Sequence, residues 1–277
     1  MSPAQKPVVV TPRPDPVRIK PIPGRRHNVR KVLWKAALAL LIAAPLVFML
    51  AALLYRVGLT DLRFSFGFLT RKLGVWLLFG SILAGLGSLA LGWFIQPRSR
   101  TAMGIGALAV AVGVAGLVWG ASVQRTAGSL PFIHDISTDT QNPPVFEGRI
   151  LTERGDGSNP LNYVGKRDSR ENELVSVLQT RSYPDINPLV SNRSPEDAQA
   201  RARAVAESLG WEVVDEAPGR IEATATTFWY GFKDDIAIRI RPGSGGGSVV
   251  DLRSVSRVGG SDLGANAARI RAFRERF

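Results

Sequence analysis

Three long apolar runs dominate the first half of the chain. Residues 36–55 (AALALLIAAPLVFMLAALLY), 73–95 (LGVWLLFGSILAGLGSLALGWFI) and 102–122 (AMGIGALAVAVGVAGLVWGAS) contain no charged side chain. About 20 apolar residues in a helix span the roughly 30 Å hydrocarbon core of a bilayer, so each run predicts a transmembrane helix. Trp34, Tyr55, Trp76, Trp93 and Trp119 lie at or near the ends of these runs, where amphipathic rings favour the membrane–water interface. One such run alone would also suit a buried helix, but three in close succession do not. A cleaved signal peptide fits no better: the first run is too long, no small-residue cleavage site closes it, and two more runs follow. Arg25 and Arg26 are therefore not read as a twin-arginine signal.

Beyond the third run the pattern changes. Residues 131–190 are rich in Pro and Asn and break up regular elements, although Phe132, Ile133, Ile136, Val145 and Phe146 predict that part of the stretch packs. A short helix is expected near residues 171–179. Ser194, Pro195, Glu196 and Asp197 then read as an N-cap, a proline at the first helical position and acids in the first turn. Ala198, Ala202, Val205 and Leu209 form one apolar stripe, and Gly210 ends the helix. Four strand-like runs follow at 211–216, 220–229, 235–241 and 249–258, joined by links that suit hairpins. In the third, Ile236, Ile238 and Ile240 alternate with Ala237, Arg239 and Arg241, which predicts one buried face. Ser261 can cap a last helix whose apolar face holds Leu263, Ala267, Ile270, Phe273 and Phe277. The expected fold class is α+β: three N-terminal transmembrane helices, then a soluble domain with a four-stranded antiparallel sheet and two helices packed on one face. The domain plan is a disordered, basic, Pro-rich tail (1–32), a three-helix transmembrane region (33–125) and a soluble α+β domain (126–277).

Charge sharpens this plan. The formal net charge of +12 would ordinarily point to nucleic acid. However, 15 of the 35 basic residues flank the apolar runs, nine of them in residues 1–35, and only two of the 23 acids do. Residues 102–277 hold 20 basic against 21 acidic residues and are close to neutral. The basicity belongs to the membrane flanks, so nucleic acid is not an expected partner; the lipid bilayer is. With the N-terminus inside, the cytoplasmic flanks carry eleven basic residues against five outside, counting Arg98 and Arg100 within and Arg125 without. The lysine–arginine bias thus places the N-terminus in the cytoplasm and the C-terminal domain in the periplasm of a bacterial inner membrane. Small residues four apart, including Ala84, Ser88, Gly92, Ala109, Gly113, Gly116 and Gly120, predict close packing of the second and third helices and offer a face for self-association. The uncharged spans argue against a small transporter, which would keep ionisable residues within them.

The chain has no Cys and only two His, His27 and His134. Disulfides, thiolate chemistry and a multi-His metal site are excluded, no cofactor or metal is expected, and no Gly-rich phosphate loop or nucleophile elbow occurs. His134 lies beside Asp135, Thr138 and Asp139, the one place where a hydrolase-like base could form. Asp135 with Asp139, or Asp234 with Asp235, could hold a hard cation, but solvated carboxylates are the expected state. Arg239, Arg241, Arg253 and Arg257 fall on adjacent strands, with Glu222 and Asp251 as cross-strand partners; an anionic ligand or headgroup is the alternative use. Residues 229–232, Trp-Tyr-Gly-Phe, either form an aromatic tip touching membrane or partner, or pack in the core.

The runs FIHDISTDTQNPPVF, YPDINPL, GRIEATATTFWYGFKDDIAIRIRP and RSVSRVGGSDLGANAARIRAF resemble the bacterial domain-of-unknown-function family 1499 over nearly all of residues 130–277. The three-helix leader is similar to that of alphaproteobacterial members. The resemblance implies no activity, substrate or catalytic residue. It does imply that His134, Asp135, Asp139, Asp235, Arg239, Arg253, Arg257 and Asn266 sit in recurring motifs, and these are the candidate binding residues. The expected function is a non-enzymatic, membrane-anchored accessory or binding domain at the periplasmic face, with a membrane or periplasmic protein as partner. The alternative is a hydrolase-like enzyme using His134 and nearby acids.

Overall fold

The computed structural model describes residues 24–277. The expectation for the Pro-rich tail falls mostly on residues 1–23, outside the described residues; residues 25–32 already belong to the first helix. Helix α1 (Arg25–Arg56) runs through Pro45. A π-helical segment, Arg63–Gly74, continues directly into α2 (Val75–Phe94), and α3 (Arg100–Ser129) closes the bundle. All three helical stretches are long and apolar enough to cross a membrane.

Their packing rests on small residues. On α1 the buried positions Ala37, Ala44 and Ala51 recur every seven residues, so one alanine stripe faces the other helices. On α2, Ser81, Gly85, Ser88 and Gly92 are buried, and on α3, Ala102, Gly106, Ala109 and Gly113. A Cβ at Gly106 would lie 2.6 Å from the Gly85 carbonyl oxygen, so these backbones touch. Ser88 Oγ donates to the Ala102 carbonyl at 2.7 Å and Ser81 Oγ to that of Ala109 at 3.1 Å. Most of the small-residue positions thus serve a hairpin within the chain, whereas Gly120 faces open space. At one end of the bundle, Arg30 donates to the carbonyls of Ile95 and Pro97, joining the start of α1 to the α2–α3 turn.

The C-terminal domain is α+β, as its sequence pattern predicts, but its sheet has six strands rather than four. β1 (Asp135–Ser137) and β2 (Leu189–Ser191) are three residues long, too short to leave an alternating signature in Pro- and Asn-rich text. The four expected strands are β3 (Glu212–Ala217), β4 (Arg220–Thr226), β5 (Lys233–Pro242) and β6 (Ser248–Ser256). The sheet order is β1-β6-β5-β4-β3, and β2 also pairs with β6, all antiparallel. Helices α4 (Ile150–Glu153), α5 (Val175–Ser182), α6 (Pro195–Ser208) and α7 (Ala265–Arg276) complete it. Ser194 caps α6 as expected, its hydroxyl accepting from the Asp197 amide at 3.1 Å. At α7 the helix starts later than expected, with Gly264 at the N-cap position, so Ser261 does not cap it. Asp262, not Ser261, accepts from the amides of Gly264 and Asn266, both at 2.8 Å, because a carboxylate offers two acceptors to a positive helix start.

Period-two alternation splits the sheet into two faces. Ile221, Ala223, Ile236, Ile238, Val250 and Leu252 turn toward α5, α6 and α7, where Phe273 stacks on Trp211 with centroids 5.8 Å apart. β1 would be an open edge, but Gln179 of α5 covers it. Its Oε1 accepts from the Ser137 amide at 2.9 Å and its Nε2 donates to the Ser137 carbonyl at 2.6 Å. The side-chain amide thus replaces a neighbouring strand.

Candidate functional site

The other face of the sheet carries most of the charged candidate residues. On β6, Asp251, Arg253 and Val255 point there; on β5, Asp235, Ala237, Arg239 and Arg241; on β4, Glu222 and Thr224. Solvent does not cover this face. Residues 139–170 fold over it, adding a small apolar cluster of Phe146, Ile150, Val214, Ala237 and Val255.

Under that cover the charges pair almost completely. Arg253 grips Asp135 with two parallel bonds, Nε to Oδ1 at 2.9 Å and Nη2 to Oδ2 at 2.7 Å, and also donates to the Leu161 carbonyl at 2.6 Å. Asp235 is fully buried and accepts from Arg154 at 2.5 Å, from Arg257 Nη2 at 2.8 Å and from the Thr224 hydroxyl at 2.8 Å. Asp251 accepts from Arg239 at 2.9 Å and Arg241 at 2.7 Å, and Arg239 reaches Asp139 at 3.1 Å. Asp139 Oδ1 also holds the turn amides of Gln141 and Asn142, at 3.1 and 2.9 Å. Charges this deep persist only when paired and hydrogen-bonded, so the network fixes how the 139–170 segment sits on the sheet.

These positions correct two expectations. The Asp135, Asp234 and Asp235 carboxylates are buried in ion pairs with Arg253, Arg269 and Arg257, not solvated. Glu222, expected opposite the β5 and β6 arginines, instead pairs with Arg220 at 2.6 Å and accepts from the amides of Glu147 and Gly148. The 139–170 cover accounts for Asp235 and Glu222, by shutting out water and adding Arg154 and the Glu147 and Gly148 amides, whereas Asp234 is buried on the helix side against Arg269 of α7. Among the described residues no group of three or more His, Asp or Glu side chains is placed to hold a metal ion.

Asn266 lies on the opposite side, at the start of α7, fully buried. Its Nδ2 donates to the His134 carbonyl and to Ser256 Oγ, both at 3.0 Å, and its Oδ1 accepts from Ser254 Oγ at 2.6 Å. It bolts α7 to β1 and β6. Burial pushes the neighbouring Asp262 carboxyl up from its ordinary value, against the pull of the Asn266 and Gly264 amides.

His134 stands apart from the carboxylates. Its ring meets the Gly260 carbonyl at 3.3 Å through Nδ1 and the Lys166 ammonium at 3.0 Å through Nε2. The pairing assigns the proton of the neutral ring to Nδ1 and leaves Nε2 as acceptor. Burial and then the Lys166 charge lower its pKa. Burial likewise lowers that of Lys166, although Asp135 opposes the shift. The two side chains line a hollow of about 150 Å³ with Phe132, Asp168 and Gly260. Asp168 is engaged by three backbone amides, of Arg170, Glu171 and Glu173, at 2.8, 2.8 and 2.9 Å. The structure thus brings Asp135, Asp139, Asp235, Arg239, Arg253 and Arg257 to one covered face, Asn266 to the helix side and His134 to the rim. Sequence reasoning missed Arg154, Lys166 and Gln179. These sit in irregular or weakly patterned text, where no periodicity marks a side chain as facing inward.

The chain belongs to the family described as Protein of unknown function (DUF1499), whose model matches residues 135–277. That span begins at β1 and covers the whole sheet, its ionic cover and α7. No curated protein matches the chain.

Proposed function

We propose that this protein is a bacterial inner-membrane protein whose C-terminal domain stands in the periplasm as a non-enzymatic accessory or binding module. The lysine–arginine bias supports the sidedness: the start of α1 and the α2–α3 turn, joined through Arg30, form the more basic end of the bundle. The observation that carries the non-enzymatic reading is the company His134 keeps. A hydrolytic histidine needs a carboxylate to orient it and a free nitrogen to take a proton. Here Asp135 is occupied by Arg253, Asp139 by Arg239 and two amides, and the acceptor nitrogen of His134 faces an ammonium. Its partners besides lipid are then membrane or periplasmic proteins that read a rigid surface.

The test is His134→Gln in the full-length chain, in a strain lacking the native copy. Glutamine can accept from Lys166 and donate to Gly260 but cannot shuttle a proton at neutral pH. Full complementation of the deletion phenotype at normal protein level is expected. Loss of complementation by a folded, normally abundant variant would overturn the reading in favour of acid–base chemistry at His134. Sidedness has its own check: a reporter active only in the cytoplasm, fused after Phe277, should stay dark.

A further inference from the structure

The β4–β5 loop does two jobs at once. Its inner half is docked on the helical bundle: the Tyr230 hydroxyl shares a 2.5 Å hydrogen bond with Thr70 Oγ1. Its ring stacks on Phe232 with centroids 5.0 Å apart, and Phe232 meets Tyr55 edge-on at 5.3 Å. Phe66 closes on Tyr230 from the π-helical segment at 5.7 Å. Gly231, at φ +67°, lets the loop fold against the Arg56 side chain, and Arg56 donates to the Phe228 carbonyl at 2.5 Å. The side chains of the outer half project away from the bundle. Phe228 is 81% exposed and Trp229 64%, and their rings meet edge-on with centroids 5.3 Å apart.

Two adjacent large aromatics in water are unfavourable, and the loop is not free to retract them. Thr227 N donates to the Phe232 carbonyl at 2.8 Å and Gly231 N to that of Thr227 at 3.1 Å, so the tip is braced. The residues that clamp it, Tyr55 and Arg56, are the last of α1, where an apolar run gives way to a charge. That is the level at which a bilayer passes from acyl chain to headgroup, and the level that tryptophan and phenylalanine favour. We infer that Phe228 and Trp229 insert into the interfacial layer of the membrane that holds the helices, so that the domain is attached twice, through α3 and through this loop. The occupant is the surrounding lipid, because the helix ends that clamp the loop expose large apolar side chains of their own, Leu53 on α1 and Phe64 on the π-helical segment. The assignment rests on the membrane reading of α1.

The chain has no cysteine, so single-cysteine spin labelling requires no background removal. Phe228→Cys, Leu46→Cys and Val190→Cys would be labelled in the full chain, reconstituted in phosphatidylethanolamine–phosphatidylglycerol vesicles. Collision with oxygen, which concentrates in lipid, would be compared with collision with a water-soluble nickel chelate. Leu46 faces outward in mid-α1, and Val190 lies on β2, which pairs with the end of β6 remote from the loop. The expected result is oxygen dominance at 46 and 228 and nickel dominance at 190, with Trp229→Cys repeating the reading at 228. Nickel dominance at 228 with oxygen dominance at 46 overturns the insertion alone. Shielding at 228 from both agents also overturns it, since it would mean a protein partner or second copy. Nickel dominance at 46 would overturn the membrane reading first and the insertion with it.

Discussion

The helical bundle and the C-terminal domain solve the same packing problem by opposite rules. In the bundle the buried positions are mostly Ala, Gly and Ser, with Leu69 and Leu78 as exceptions, while Leu46, Leu83, Phe79 and Val118 point outward. In the domain Ile236, Ile238, Leu252 and Phe273 are inside, together with paired Arg and Asp side chains. The difference lies in the solvent. Against water, burying a large aliphatic side chain gains about 1.5–3 kcal/mol. Against acyl chains that gain vanishes, and close backbone approach with a few hydroxyl–carbonyl bonds decides the packing. An inside-out bundle joined to an ordinary core is what one chain looks like when its halves fold in two media.

The largest expected effect comes from the domain's buried charge. Asp235→Ala strands Arg154 and Arg257 without a counter-charge, which should destabilise the domain by about 3–5 kcal/mol, read by denaturant unfolding. The bundle offers no comparable target. The next test contrasts one truncation in the two media. Ile238→Ala should cost about 2–5 kcal/mol as a cavity in the domain core. Leu46→Ala, on the outer surface of α1, should leave the detergent-resistance midpoint of the bundle within error. An equal cost at both positions would break the comparison.

Enlarging a small residue should reverse the order. Gly106→Ala forces α2 and α3 apart against the Gly85 backbone and should destabilise the bundle by about 1–3 kcal/mol, whereas Gly104→Ala, with open space around it, should not. Resistance to SDS unfolding measures both.

The smallest effect is a pH dependence confined to the domain. His134 has its pKa lowered below the ordinary 6.5 by burial and the Lys166 charge, so the folded state favours the neutral ring. Its contribution to stability is therefore complete above pH 6.5 and lost as the pH falls through that value toward the folded pKa. Thermal unfolding from pH 8 to 5 should show that decline, and His134→Gln should flatten it.

The comparison also explains what could be read from the residues alone. The three spans were legible because apolarity sums over some twenty positions and needs no partner. The four long strands and α6 were legible for a similar reason: Ile236, Ile238 and Ile240 alternate over enough length to show a buried face, and Ser194 and Pro195 mark a helix start. The same alternation misleads about the opposite face. Asp235 and Arg239 look solvent-facing until the 139–170 segment arrives, and no local pattern announces a cover made of irregular backbone. Of the eight candidate residues, several pair with one another across the strands, but Arg154, which completes the shell of Asp235, comes from text without periodicity. The aromatic run 229–232 departs from the core-packing expectation: Tyr230 and Phe232 pack against Tyr55 and Phe66 of the helical bundle rather than in the domain core, and Trp229 is exposed.

The most direct test of the central claim, that the helices of residues 25–129 fold in lipid and residues 130–277 in water, is fractionation of the full-length protein. Membranes from expressing cells, washed in alkaline carbonate and pelleted at high speed, should retain the chain until detergent releases it. Intact protein in the carbonate supernatant would contradict the account, because an inside-out bundle has no reason to exist outside a bilayer.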